Sequence, residues 1–461
     1  MSSIKKIAII GCGAGGGTAA QFARKTDRSA MIAVFEKGKY PQYSKCGLPY
    51  VISGDIPSFD NLIEFSEEWF QKERINLFLN STVQNIDIHK KILVAKQQND
   101  IIEERFDKLI IASGAQPSIP PIQHIRINGK LGRGIHILRT IDDGKNILRD
   151  IEKGKKVIII GAGLVGLELA EALYHKGMQV TVVESLPIIL GTCFDEDISN
   201  ILLLEIKKRI TLLTQSIATS VKYLDDKVSS VLCKNTQTNQ EKSLDCDLVI
   251  ITTGIKQETT LAMNIGCKLG KAGGIIVNEK SETSISDVYA VGDCTEYRDF
   301  ITQLPVNIGL GSIVVRQGIA AGINAAGGNY TLPSGVLLSR TSTIFGQEIA
   351  GTGPIMNAIN HLPIVYGKVR GLSRPDYFPG AIPITMKITA HEETGQILSA
   401  QAIGSNASQR INVFAHAILT QTTVETLSKL ETTYAPPIAP TLDVITIVCD
   451  VVSLKRSRKR R

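Results

Sequence analysis

The sequence predicts an α/β protein in which two strand, glycine-loop, helix, strand units are followed by a C-terminal α+β domain. Three observations carry this. GxGxxG spacing occurs twice, at "KKIAIIGCGAGGGTAAQFARK" and at "GKKVIIIGAGLVGLELAEAL". Each copy leads to a second apolar strand that ends in an acid. Beyond "GIAAGINAAGGNY" the composition shifts to Thr, Pro and β-branched residues with no further glycine loop.

In the first unit Gly11, Gly13 and Gly16 hold the glycine positions. They serve a tight turn, close approach of a pyrophosphate to the backbone, and packing of helix on strand, with phosphate at the positive helix N-terminus. The strand "AMIAVFEKG" ends in Glu36, near the acidic position expected about 20 residues on, where a carboxylate accepts the ribose hydroxyls. The second unit repeats this with Gly161, Gly163, Gly166 and, after "MQVTVVES", Glu184. Two Rossmann-like units imply two dinucleotides, and the chemistry that joins them is hydride transfer from a nicotinamide to a flavin. Glu184 repels a 2′-phosphate and Ser185-Leu186-Pro187 offers it no cation, so NADH is expected as donor, with NADPH as the alternative.

The apolar runs "KLIIASGAQP" (108–117) and "DLVIITTGIKQ" (247–257) read as buried parallel strands, each closing with a glycine, Gly114 and Gly254. The second unit lies between them, so the simplest topology inserts an NADH domain (121–244) into an FAD domain (1–120 and 245–328). "SDVYAVGDCTE" returns to a strand ending in Asp293, an acid suited to a ribityl hydroxyl. The third domain (329–454) contains a hairpin turning at Glu393-Thr394-Gly395, then the helix "RINVFAHAILTQ" and the Pro-rich "YAPPIAPTLD". Residues 455–461 read as a basic tail.

At 461 residues, with 43% hydrophobic and 21% charged, the chain is long enough for several cores without disulfide staples. The eight cysteines show no CxxC pair and no histidine in ligand spacing, which argues against a zinc site or a secreted disulfide framework. No apolar stretch reaches the roughly 20 residues that span a bilayer, and the N-terminal "KIAIIGCGAGG" reads as a strand entering its loop rather than a signal peptide. A cytoplasmic protein without a membrane partner is expected. Six of the charges behind the net +7 lie in "KRSRKRR", so the body is nearly neutral and nucleic acid is not an expected partner.

Cys46 stands apart. In "YSKCGLPYVISG" Pro49 suits the first turn of a helix, placing the sulfur at or just before its start. A helix N-terminus favours thiolate, and the adjacent Lys45 adds to this if it turns inward. The other cysteines read as small buried apolar residues.

The order of first loop, "SKCGLPY", second loop, "YAVGDC" and "YAPP" resembles the pyridine nucleotide-disulfide oxidoreductases over essentially the whole chain. The similarity is to their single-cysteine branch of coenzyme A-disulfide reductases, NADH oxidases, NADH peroxidases and persulfide reductases. The resemblance implies FAD held by the first loop, Glu36 with Lys37, Val83, Ser113, Gly114 and Asp293, and a nicotinamide dinucleotide held by the second loop with Leu164, Glu168, Glu184 and Gly254. It implies a homodimer formed by the third domain, with Cys46 beside the flavin as the redox residue and Tyr434 and Tyr377 near the thiol. Two-cysteine relatives carry their second cysteine where Val51 stands. Oxidases and peroxidases of the branch carry a histidine where this chain has Ala14, which favours a small-molecule disulfide or persulfide over oxygen as substrate. Coenzyme A carries phosphates, for which Arg24, Lys25 and Lys45 are candidates.

Overall fold

The computed structural model describes residues 4–152 and 154–459. Five short strands with nearly continuous apolar sequence form a first parallel sheet in the order Val288–Ala290, Lys108–Ile111, Lys6–Ile10, Met31–Phe35, Ile75–Phe78. Such runs suit strands buried on both faces. A second parallel sheet has the order Ile135–Ile137, Leu248–Ile251, Lys156–Ile160, Gln179–Val183, Thr211–Leu213.

The boundary expected at residue 245 is therefore displaced. Leu248–Ile251 pairs with Lys156–Ile160 inside the second sheet, and the chain returns to the first unit only afterwards. The return runs beside the outward passage: Ala115–Pro117 and Ile255–Gln257 form an antiparallel ribbon. Across it Glu258 N donates to Gly114 O at 3.0 Å and Ser118 N to Gly254 O at 2.9 Å. Gly114 and Gly254 occupy the corresponding corners, both with positive φ (71° and 99°).

The third sheet is antiparallel, in the order Arg340–Ile344, Gln347–Thr352, Ile397–Gly404, Pro383–His391, Ile364–Leu372. The expected hairpin is present, with Gly395 N donating to His391 O at 2.9 Å in its turn. Helices Ala407–Leu419 and Val444–Lys459 share a core with this sheet through Phe414, Ile418, Val448 and Val452. The segment read as a basic tail continues that last helix as far as Lys459. Arg456 is buried, pairs with Glu425, and donates to the carbonyls of Glu392 and Glu393 at 2.9 Å. The charge run is therefore part of the C-terminal fold; Arg460 and Arg461 lie outside the described residues.

Candidate active site

The two glycine loops are built alike. Gly11 and Gly161 hold φ of 95° and 110°, and a Cβ on them would stand 2.3 Å from Ala112 O and 2.7 Å from Thr252 O. Only glycine makes that turn without strain. Gly16 and Gly166 let each helix close on its strand, since a Cβ would fall 1.9 Å and 2.2 Å from the carbonyls of Gly11 and Gly161. Gly13 and Gly163 differ: no protein atom lies within 4 Å of a Cβ added there. Their missing side chains keep open the space in front of helices Ala14–Thr26 and Leu164–His175, whose first turns carry no acid and whose N-caps make no side-chain bond. A pyrophosphate fits this arrangement, because the free N–H groups and the helix dipole both favour an anion.

The acids repeat the same device. Glu36 accepts from Cys12 N and Gly38 N, both at 2.7 Å. Glu184 accepts from Ala162 N at 2.7 Å and Leu186 N at 2.8 Å. Each carboxylate thus braces its loop at the edge where a ribose would sit. Asp293 is ion-paired with Arg139, whose buried Nε has no protein partner. Arg139 directly precedes a capping box in which Thr140 and Asp143 start helix Ile141–Asp150. Ser113 Oγ donates to Glu258 O at 2.6 Å, and Gly114 and Gly254 leave open space at their α-carbons. Ala14 and Leu164 each open the helix behind their loop. Lys37 is exposed beside Glu36, whereas Val83 is a core side chain packed with Leu93 and Ala95. Open anion cradles, braced acids and an unpartnered guanidinium nitrogen fit two dinucleotides.

Cys46 lies in a single 3-10 turn, Lys45–Gly47, that runs into helix Leu48–Ser53 with Pro49 in its first turn. It is the exposed cysteine; Cys12, Cys233, Cys246, Cys267, Cys294 and Cys449 are buried and Cys193 is half-buried, all as free thiols. Val51 is buried in a cluster with Leu48 and Phe59, so no second sulfur stands on that turn.

The charges around the thiol and at Arg24 differ from what the local sequence suggests. The surrounding protein pushes the Cys46 thiol up, and the Glu168 and Asp293 carboxylates push it further, with Arg139 opposing them. Lys45 is exposed on the same turn, and the enclosing protein and the Arg139 guanidinium hold its ammonium below the usual lysine range. Arg24 is also unavailable to a phosphate. It is buried and donates to the carbonyls of Glu73, Asp27, Arg28 and Arg74, closing its helix onto a neighbouring loop. Lys25 remains near the surface, over the Phe22 ring at 4.7 Å.

Tyr377 and Tyr434 come together with their hydroxyls 3.1 Å apart. Both are exposed on the C-terminal domain, and among the described residues no hydrogen bond joins them to Cys46 of the same chain. Glu168 is half-buried and accepts from Ser342 Oγ at 2.6 Å. Burial and Glu171 push this carboxyl above the usual range, against the Ser342 bond. Sequence reasoning did not single out Arg139, Ser342 or Tyr50. The capping box in "RTIDDG" marks the helix start beside Arg139, but its pairing with Asp293 spans 154 positions.

The pattern of the pyridine nucleotide-disulphide oxidoreductase family matches residues 5–318, and that of the family's dimerisation domain matches residues 355–444. The chain belongs to this family, and it is an oxidoreductase that uses FAD and NAD(P)H. It is 37% identical over 458 residues to an NADH oxidase of Methanocaldococcus jannaschii, covering 98% of this chain and 99% of the relative. It is 31% identical over 456 residues to an NAD(P)H coenzyme A polysulfide/persulfide reductase of Pyrococcus horikoshii, covering 97% and 98%. The solved NAD-dependent persulfide reductase of A. fulgidus superposes with a TM-score of 0.92 at 29% identity, covering 98% of this chain and 84% of that one. No helix among the described residues is long and apolar enough to cross a membrane.

Proposed function

We propose that this protein uses NADH to reduce a low-molecular-weight disulfide or persulfide, with coenzyme A disulfide as the leading substrate, and that Cys46 alone carries the sulfur chemistry. The observation that carries the reading is one exposed thiol on a helix start, with valine where a second cysteine would close a disulfide, in a chain with two dinucleotide cradles. Relatives named for coenzyme A disulfide and for persulfide support the substrate class.

In this reading Gly11, Gly13, Ala14, Gly16, Glu36, Ser113, Gly114 and Asp293 with Arg139 bind FAD. Gly161, Gly163, Leu164, Gly166, Glu168, Glu184 and Gly254 bind NADH. Held there, FAD would supply the relay that passes reducing equivalents from NADH to the sulfur site. Cys46 Sγ attacks one sulfur of the incoming disulfide, forming a mixed disulfide and expelling a thiolate. Tyr434, oriented by Tyr377, gives that thiolate its proton in a homodimer formed through the C-terminal domain. Two electrons and one proton reduce the mixed disulfide to Cys46 thiolate and a second free thiol. Each NADH therefore yields two thiols. Lys25 and Lys45 remain as candidates for the substrate's phosphates.

The second reading is an NADH oxidase, favoured by the 37% identical relative of that name. Anaerobic turnover with coenzyme A disulfide separates the two. The reductase releases two thiols per NADH without oxygen, whereas oxidation of NADH only in air would replace this reading with the oxidase.

A further inference from the structure

The second glycine loop is propped from behind by a segment that the C-terminal domain holds. Leu190 N donates at 3.0 Å to the carbonyl of Ala162, the residue between Gly161 and Gly163. Leu190 O in turn accepts from Cys193 N at 2.8 Å and Phe194 N at 2.9 Å, closing a turn in which Leu190 has φ of 52°. A leucine rarely takes that left-handed backbone, and it persists only where the surroundings hold it.

The surroundings are the third sheet and its loops. Arg340 Nε donates to Cys193 O at 2.7 Å, its guanidinium lies over the Phe194 ring at 5.3 Å, and its Nη1 reaches the carbonyls of Leu338 and Gly353. Phe194 is fully buried in one cluster with Ile344, Ile349 and Ile403 of that sheet. Asp195, the N-cap of helix Glu196–Ile206, donates from its backbone to Gln401 Oε1 at 2.9 Å. Its carboxylate accepts from Met356 N at 2.8 Å and lies 2.9 Å from Lys387. Lys387 also pairs with Asp197 at 2.8 Å, which Lys368 meets at 2.9 Å. Lys387 and Asp195 are both buried, so water and salt screen their pairing little.

We propose that Lys387 and Arg340 are positioning residues of the nicotinamide-dinucleotide site. From the C-terminal domain they fix segment 190–197, and through the Leu190–Ala162 hydrogen bond that segment keeps the second glycine loop in the shape that receives a pyrophosphate. The inference deepens the assignment of this loop to NADH and rests on it. Both side chains act through the segment, by raising the fraction of molecules whose loop is already seated, and affinity falls in proportion to that fraction. The domain that carries the C-terminal sheet thereby tunes dinucleotide binding in its own chain.

The experiment is equilibrium binding of NAD+ to the oxidised, full-length, FAD-loaded protein, together with hydrogen exchange of the peptides that carry Ala162, Leu190 and, as control, Gly13. Lys387→Met should weaken NAD+ binding about 3- to 10-fold, as it would if the seated loop fell to about a third to a tenth of molecules. Exchange at Ala162 and Leu190 should quicken, while exchange at Gly13 and FAD content stay native. Arg340→Lys, which cannot span the carbonyls of Cys193, Leu338 and Gly353 at once, should act in the same direction. Lys387→Arg, which keeps the charge between the two acids, should return both readouts toward native. Asp195→Asn leaves Lys387 paired with Asp197, so it tests the same link where Lys387→Met fails to fold, and it should show the same changes in smaller degree. A purely stabilising role would lower Tm and leave NAD+ affinity and exchange at Ala162 native, and that result would overturn the proposal. Gly163→Val tests the loop itself: were NAD+ affinity native there too, the assignment of the loop would fall, and this inference with it.

Discussion

Replacing Gly163 by valine separates a binding role of the second glycine loop from a structural one. Gly163 has φ of −77°, a backbone that any residue adopts, and its added side chain would meet no protein atom within 4 Å. The fold loses only the helix N-cap preference for glycine over an apolar side chain, about 1 kcal/mol. The valine would instead fill the space in front of the free N–H groups of helix Leu164–His175. A charge-assisted hydrogen bond to pyrophosphate is worth about 1.5–3 kcal/mol, so losing one weakens binding roughly 10- to 150-fold. Gly161→Ala is the contrasting change. It forces a methyl-bearing residue to φ of 110° with the Cβ 2.7 Å from Thr252 O, at a cost of about 1–3 kcal/mol before the clash is counted. The assay is equilibrium binding of NAD+ to the oxidised holoenzyme, alongside Tm and FAD content. Gly163→Val should bind NAD+ 10- to 150-fold more weakly with native FAD content and near-native Tm, while Gly161→Ala should lower Tm. Native NAD+ affinity in Gly163→Val would refute the argument that the loop is an open pyrophosphate cradle.

Glu184→Ala should reduce the preference for NADH over NADPH at least about tenfold, a change of about 1.4 kcal/mol, read from kcat/KM for the two donors. Lys387→Met should destabilise the protein by about 3–5 kcal/mol in urea unfolding, because Lys387 is 6% exposed and lies 2.9 Å from Asp195 Oδ2, which would be left buried and unpaired. Burial opposes ionisation of Asp197, but Lys387 and Lys368 outweigh it and hold the carboxyl below its usual range. Its contribution is therefore present above the unfolded value of about 3.9 and lost as pH falls through the lower folded value, a loss absent from Asp197→Asn in acid-unfolding curves. Deleting residues 455–461 should lower Tm, since Arg456 is anchored to Glu425 and to the carbonyls of Glu392 and Glu393; an unchanged Tm would contradict its structural role.

The parts of the site that could be read from sequence are those encoded locally. A strand, a glycine loop, a helix and an acid within about 30 residues make each dinucleotide unit, so Glu36 and Glu184 were expected where the structure has them. Cys46 and Pro49 lie within one turn of each other, and their helix start was equally visible. Contacts that depend on tertiary pairing were not. The runs at 108–111 and 248–251 are both apolar and both end near a glycine, and periodicity does not say which sheet a strand joins, hence the displaced boundary. Arg24 and Arg456 are charged residues that sequence alone reads as solvent-facing, but carbonyl acceptors distant in sequence bury them. Ser342 reaches Glu168 across 174 positions, and its strand shows no motif that marks it. The charges around the thiol are hidden for a similar reason: helix start and neighbouring lysine are local, while the enclosing protein and the Glu168 and Asp293 carboxylates that push the thiol up are not.

The central claim is that one thiol, Cys46, carries electrons to a disulfide. The anaerobic initial rate of NADH oxidation with coenzyme A disulfide, measured for native protein and for Cys46→Ser with matched FAD content, tests it most directly. The account predicts steady turnover with thiol release in the native protein and its loss in the serine variant. Equal rates in the two proteins, or native turnover that appears only in air, would contradict it.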